Sequence, residues 1–251
     1  LLYGLPGQNR VNLSTSIVNA VGFGAREIAL APLRLRPGSA LHERYAEHPE
    51  RFDALPRKAW PTDDERLALR AAGEEQLVAG GFTRVTQHLF SADGTLRASQ
   101  RARCDDVDRL GVGAGAWSKL DGVVSRSTGD LTRYLAHAED IRAITAAADV
   151  LTPVEASCRY VAGRLFAAEG FSHAEHERRF GASLPVPLRA GLERLAEAGW
   201  ATCEGDRWKL TCEGGHRYDD AVQHLAAAAQ AEKEATGHRG AGANPRVAAS
   251  A

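Results

Sequence analysis

The sequence predicts an α/β chain that starts with a β-α-β crossover and ends in a winged-helix-like module. Three observations carry that prediction. First, an apolar run, an amphipathic stretch and a second apolar run follow one another within residues 1–35, the size of one β-α-β unit, whose strands normally run parallel. Second, two capping boxes, Thr152 with Glu155 and Ser172 with Glu175, open successive short helices, and a hairpin-like segment follows at residues 200–211. Third, 44% hydrophobic and 25% charged residues over 251 positions is the balance of a globular chain with enough apolar material for a core.

Taken in order, the chain opens LLYGLPGQ. Leu1, Leu2 and Tyr3 read as the end of a buried strand, and Gly4, Pro6 and Gly7 break the run. A secretory signal would need a basic start and a longer apolar core. The sequence has no methionine, which predicts a processed product or a fragment. Val11, Ile17, Val18, Val21 and Phe23 predict an amphipathic helix over 11–25, and EIALAPLRL at 27–35 a second strand, stopped by Arg36, Pro37 and Gly38. Residues 40–60, rich in His, Glu, Arg and Pro, are expected at the surface. Thr62 with Glu65 opens a helix to about residue 79, where Gly80 and Gly81 stop it. FTRVTQHLF at 82–90 alternates as a strand does, and 91–109 reads as a polar, irregular loop.

In LGVGAGAWSKLDG, residues 110–122, Gly111, Gly113 and Gly115 alternate with small apolar residues. Such glycines either let another backbone come close or line a ligand, and both readings stand on the sequence. The spacing is not G-x-G-x-x-G between a strand and a helix, so a dinucleotide site is unsupported. Helices are expected at 153–168, 173–180, 186–198 and 213–229, with a hairpin turning at Gly205-Asp206. The expected organisation is therefore 1–150, 151–229 as the winged-helix-like module, and 230–251 as a disordered tail with almost no large apolar residues.

Charge and cysteine usage narrow the function classes. A net charge of −1 disfavours duplex DNA or an anionic membrane surface as partner, and no 18-residue apolar run offers a transmembrane helix. Cys104, Cys158, Cys203 and Cys212 contain no Cys-x-x-Cys pair, which reads as reduced thiols of a cytosolic protein rather than a zinc or cluster loop.

Four pieces in this order, LLYGLPGQ at 1–8, EIALAPLRLRPGSAL at 27–41, DRLGVGAGAWSKL at 108–120 and WKLTCEGG at 208–215, resemble the oxygen-independent coproporphyrinogen III oxidase family of radical S-adenosylmethionine enzymes. The resemblance covers residues 1–225. It implies an N-terminally truncated piece, the C-terminal part of an incomplete (β/α)6 barrel, with LLYGLPGQ on the fifth strand and LRLRPGSAL on the sixth. It also implies one or two S-adenosylmethionine molecules, and a [4Fe–4S] cluster bound by a Cys-x-x-x-Cys-x-x-Cys loop that would precede Leu1. An acidic residue that contacts the second S-adenosylmethionine would fall one position before Leu1. Without the cluster loop the piece itself should do no radical chemistry. The implied partners are a small-molecule substrate such as a tetrapyrrole, and flavodoxin or ferredoxin as reductant.

Carried over residue by residue, the resemblance puts Arg34 at a second-cofactor contact, with Trp117, Gly113 and Gly115 beside the first, where a flat ring packs on adenine. Tyr3 and His88 are candidates for substrate contact. Each has a plainer use: a solvated arginine, a core tryptophan, a core tyrosine with a satisfied hydroxyl, a strand-end histidine. The stretch SQRARCDDVD at 99–108 lacks the His-Asn and His-Arg-Asn patterns of the family's heme-chaperone and decarboxylating branches. Methyl-transferring and cyclopropanating relatives are therefore a further alternative. Two other classes compete. A heme carrier would use His88, His216 or Cys104. A winged-helix nucleic-acid binder is disfavoured because Arg189 and Arg194 are balanced by Glu193 and Glu197 on one helix.

Overall fold

The computed structural model describes residues 1–35, 38–47 and 60–235. They form two compact units interleaved along the chain. One comprises Leu1–Leu96, Ala167–Glu169 and Leu210–His216; the other comprises Arg97–Phe166, Gly170–Lys209 and the residues from Arg217 onward.

The first unit begins as the sequence predicts. Strand β1 (Leu2–Tyr3) pairs in parallel with β3 (Ala31–Pro32), through Ala31 N to Leu1 O at 3.0 Å and Leu33 N to Tyr3 O at 2.8 Å. Helix α1 (Arg10–Gly22) crosses between them, opened by Asn9, whose side chain accepts from Val11 N and Asn12 N while Asn12 reciprocates. The expected strand over 27–35 is split. Strand β2 (Glu27–Ala29) pairs antiparallel with β5 (Leu89–Ser91), and the chain changes neighbours at Leu30, whose N–H goes to His88 O at 2.7 Å. The expected strand over 82–90 is likewise a hairpin of β4 (Thr83–Arg84) and β5, because the Thr86 hydroxyl accepts from His88 N and Leu89 N and turns the backbone. Helix α2 (Ala40–Glu47) lies in the segment expected at the surface, and residues 48–59 of that segment, like Arg36 and Pro37, lie outside the described residues.

Helix α3 (Asp63–Ala79) starts at Thr62 with the predicted reciprocal capping bonds to Glu65. Leu69, Gly73 and Leu77, four residues apart, form its buried stripe and pack against Leu13 and Ile17 of α1. Tyr3, Ile28, Leu30, Phe82 and Phe90 complete this core.

In the second unit the expected irregular loop contains helix α4 (Ala98–Cys104). The glycine segment leads into an antiparallel sheet of β6 (Trp117–Leu120), β7 (Val123–Ser127) and β8 (Thr145–Val150), with the short helices α5 (Leu131–Ala136) and α6 (Ile141–Ile144) between β7 and β8. Then come α7 (Pro153–Phe166), β9 (Phe171–Ser172), α8 (His173–Phe180), α9 (Val186–Glu197), β10 (Ala201–Glu204) and β11 (Arg207–Leu210). Both predicted capping boxes form. Strand β11 pairs with β9 through Trp208 and Phe171 as well as with β10, which is the winged-helix arrangement. Leu188, Leu192 and Leu195 bury one face of α9 against the terminal helix. The helix expected over 213–229 is two: α10 (Cys212–His216), which belongs to the first unit, and α11 (Tyr218–Ala235). Helix α11 runs past the expected end at 229, and residues 236–251 lie outside the described residues.

Candidate functional site

Two groupings hold the candidate residues, one in each unit. In the first unit Tyr3 ends β1 and its buried hydroxyl lies 2.8 Å from His216 Nδ1. Arg34, just beyond β3, donates from Nη2 to the His216 carbonyl at 2.7 Å. Helix α10 is thus tied by one residue to the carboxyl ends of both parallel strands, where open α/β sheets place ligands. Helix α3 contributes Arg66, which donates to Leu33 O at 2.6 Å, and Arg70, which donates to Glu74 Oε1 at 3.0 Å and Gln87 O at 2.9 Å.

The electrostatics follow from burial beside guanidiniums. His216 is pushed down to about 4, first by burial and then by Arg66, Arg34 and Arg70. His88 is also lowered to about 4, by burial and then by Arg70. Both imidazoles are therefore neutral at pH 7. Burial raises the Tyr3 pKa against the opposing pull of Arg70, so the phenol keeps its proton. Burial and then Glu74 raise the Cys212 thiol, whose sulfur lies 3.4 Å from Glu74 Oε2. A protonated thiol and neutral rings offer hydrogen bonds here rather than a nucleophile.

In the second unit the glycine segment is held from both sides. Arg109 and Lys119 exchange backbone hydrogen bonds at 2.7 and 2.9 Å. The Lys119 ammonium lies 2.9 Å from Asp106 Oδ2, and Asp106 also receives Arg159 from α7 at 3.2 Å. Gly111 serves close approach, since a Cβ there would lie 2.7 Å from the Trp117 carbonyl carbon. Gly113 and Gly115 instead take positive φ, +112° and +74°, and a Cβ at Gly113 would meet nothing within 4 Å. The close-approach reading thus holds at Gly111, while Gly113 and Gly115 serve the turn of the backbone. Trp117 opens β6 half-buried, with the Arg126 guanidinium 5.6 Å from its ring centroid.

The fold brings Tyr3, Arg34 and His88 into the first unit, while Gly113, Gly115 and Trp117 belong to the second. Among the other heme-ligand candidates, His216 is in the first unit and Cys104 is buried in the second. Among the described residues no three His, Cys, Asp or Glu side chains group as a metal site. Sequence reasoning missed Arg66, Arg70 and the Tyr3–His216 bond. The spacing of Arg66, Arg70 and Glu74 at i, i+4 and i+8 was the available signal, but such a row normally lies in solvent.

No family model matches the chain. It is 26% identical over 154 residues to the oxygen-independent coproporphyrinogen III oxidase of Cereibacter sphaeroides, an alignment covering 57% of this chain and 32% of that protein. The chain therefore spans about a third of the length of that curated relative. Its structure superposes on coproporphyrinogen III oxidase HemN from Escherichia coli, described as a radical SAM enzyme, with a TM-score of 0.66 at 15% identity, covering 90% of this chain and 53% of that one. The fold is HemN-like, mixed α/β without a closed barrel among the described residues.

Proposed function

We propose that this HemN-like chain is part of a radical S-adenosylmethionine enzyme related to oxygen-independent coproporphyrinogen III oxidase, acting on a porphyrinogen or another planar, conjugated substrate. The observation that carries the reading is the fold match over 90% of the chain, joined by a curated relative with the same described activity.

The glycine loop fits a cofactor nucleoside. The backbone at Gly113 is open, and the half-buried Trp117 ring offers a flat apolar face for adenine. Arg34, Gly113, Gly115 and Trp117 are the residues assigned to S-adenosylmethionine, and Tyr3 and His88 to the substrate. With its cluster, S-adenosylmethionine supplies hydrogen abstraction at an unactivated carbon. The chain's own residues bind, orient and exclude water around it. Tyr3 and the neutral His216 keep a proton between them, while Arg34 anchors α10 over the ends of β1 and β3.

The described residues do not fit a [4Fe–4S] cluster, which takes three or four thiolates in one loop, so its ligands are assigned to sequence preceding Leu1. A cytosolic location and a flavodoxin or ferredoxin reductant belong to the same reading; no described helix is long and apolar enough to cross a membrane. The test is the coding sequence upstream of Leu1. A Cys-x-x-x-Cys-x-x-Cys motif there is expected, and an upstream region without it overturns the proposal.

A further inference from the structure

Helix α3 buries more positive charge than its own fold uses. Arg70 is 1% exposed, yet only Nη2 makes hydrogen bonds, to Glu74 and to Gln87 O. Its Nε and Nη1, and the Nε of Arg66, have no hydrogen-bond partner among the described residues. The guanidinium lies beside the Tyr3 hydroxyl closely enough to lower that group's pKa, but Nε and Nη1 find no acceptor in good geometry there. A guanidinium cannot shed its proton, so unspent buried donors carry their full desolvation cost until an acceptor arrives.

Among the described residues the local acids do not supply that acceptor. Glu74 is already shared with Arg84 at 3.4 Å and with the Cys212 thiol, and Asp63, 3.7 Å from Arg66, is more than half exposed. Among the described residues Arg66, Arg70 and Arg84 face the two carboxylates Glu74 and Asp63, and Arg34 stands close enough to act on Tyr3, His88 and His216, so positive charge is in excess and an anion is favoured. Tyr3, His88 and His216 beside them are neutral at pH 7 and add hydrogen bonds but no charge. Access comes from Arg66, whose side chain is 21% exposed and opens the cluster to solvent, while Gly215 lets helix α10 pack closely on Arg70.

We infer that Arg66 and Arg70, at the carboxyl ends of β1 and β3, form a recognition site for a carboxylate group of a small-molecule ligand. The choice of probes rests on the proposed function; the site itself does not. The carboxylate comes either from the amino-acid end of S-adenosylmethionine or from an acidic side chain of the substrate, and both meet the same donors.

The experiment is equilibrium binding of two probe pairs to the full chain at constant ionic strength. One pair is S-adenosylmethionine and decarboxylated S-adenosylmethionine; the other is coproporphyrin III and its tetramethyl ester. The site predicts that one acid binds at least about tenfold more tightly than its carboxyl-free counterpart. Arg66→Gln and Arg70→Met should each erase that preference while leaving the affinity of the carboxyl-free probe unchanged. Preference within the first pair assigns the carboxylate to the cofactor; preference within the second assigns it to the substrate. No preference in either pair, or a preference that survives Arg66→Gln, overturns the inference. Should Arg70→Met lose its cooperative melt, Arg66→Gln alone decides. Equal binding within both pairs would remove the carboxylate site and leave the radical-enzyme reading standing, so the two fail separately.

Discussion

Replacing His216 by Gln isolates the cost of burying its imidazole. The ring is 3% exposed and held near a pKa of about 4, against about 6.5 in the unfolded chain. Because the folded value is the lower one, the unfolded state takes up the proton first. Stability is then full above pH 6.5, falls as pH drops through the interval from 6.5 to 4, and levels off below it. Two and a half pKa units correspond to about 3 kcal/mol, of which ~2–3 kcal/mol is lost by pH 4.5. Glutamine does not titrate there and keeps an acceptor for the Tyr3 hydroxyl, so His216→Gln removes this dependence while the other titrating groups, His88 included, cancel in the comparison. Urea unfolding of both proteins from pH 7.5 to 4.5 measures it. Wild type should lose ~2–3 kcal/mol more than the variant over that range. Parallel pH profiles would refute the assignment of His216 as a neutral ring buried among guanidiniums.

Three further outcomes follow from the same geometry. Lys119→Met leaves the 4% exposed Asp106 with one fewer counter-charge and should cost about 3 kcal/mol or more in urea unfolding, whereas a neutral effect would mean that Arg159 suffices. Gly215→Ala places a methyl against Gln87 Oε1 and Arg70 and should destabilise by about 1–3 kcal/mol; an unchanged melting midpoint would show that α10 is not packed on α3. Trp117→Ala in the native-length protein should weaken S-adenosylmethionine binding ~3- to 10-fold, read by calorimetry, while an unchanged affinity would return Trp117 to a purely structural role.

Local signals were legible wherever one hydrogen bond decides. The capping residues Thr62, Thr152 and Ser172 marked true helix starts because each satisfies backbone N–H groups without help from distant sequence. The parallel β1–β3 pair was legible from its connection length. The two long strands were not, because what breaks them is tertiary: Leu30 leaves one sheet for another, and Thr86 caps a turn inside an alternating pattern. Helix α4 was hidden by polarity, since only Cys104 of its seven residues is buried. In the site, Arg34 and Tyr3 were named from the resemblance and His88 from its place at the end of an expected strand. Their shared surroundings were not, because Arg70 reads as a surface residue until its helix is packed and His216 lies 213 residues from Tyr3.

The most direct test of the central claim is anaerobic and uses the native-length gene product. Iron, sulfide and the visible spectrum are measured first, then 5′-deoxyadenosine released with dithionite and S-adenosylmethionine. The account predicts a brown, iron–sulfur-loaded protein that releases 5′-deoxyadenosine. A colourless protein that releases none would contradict it.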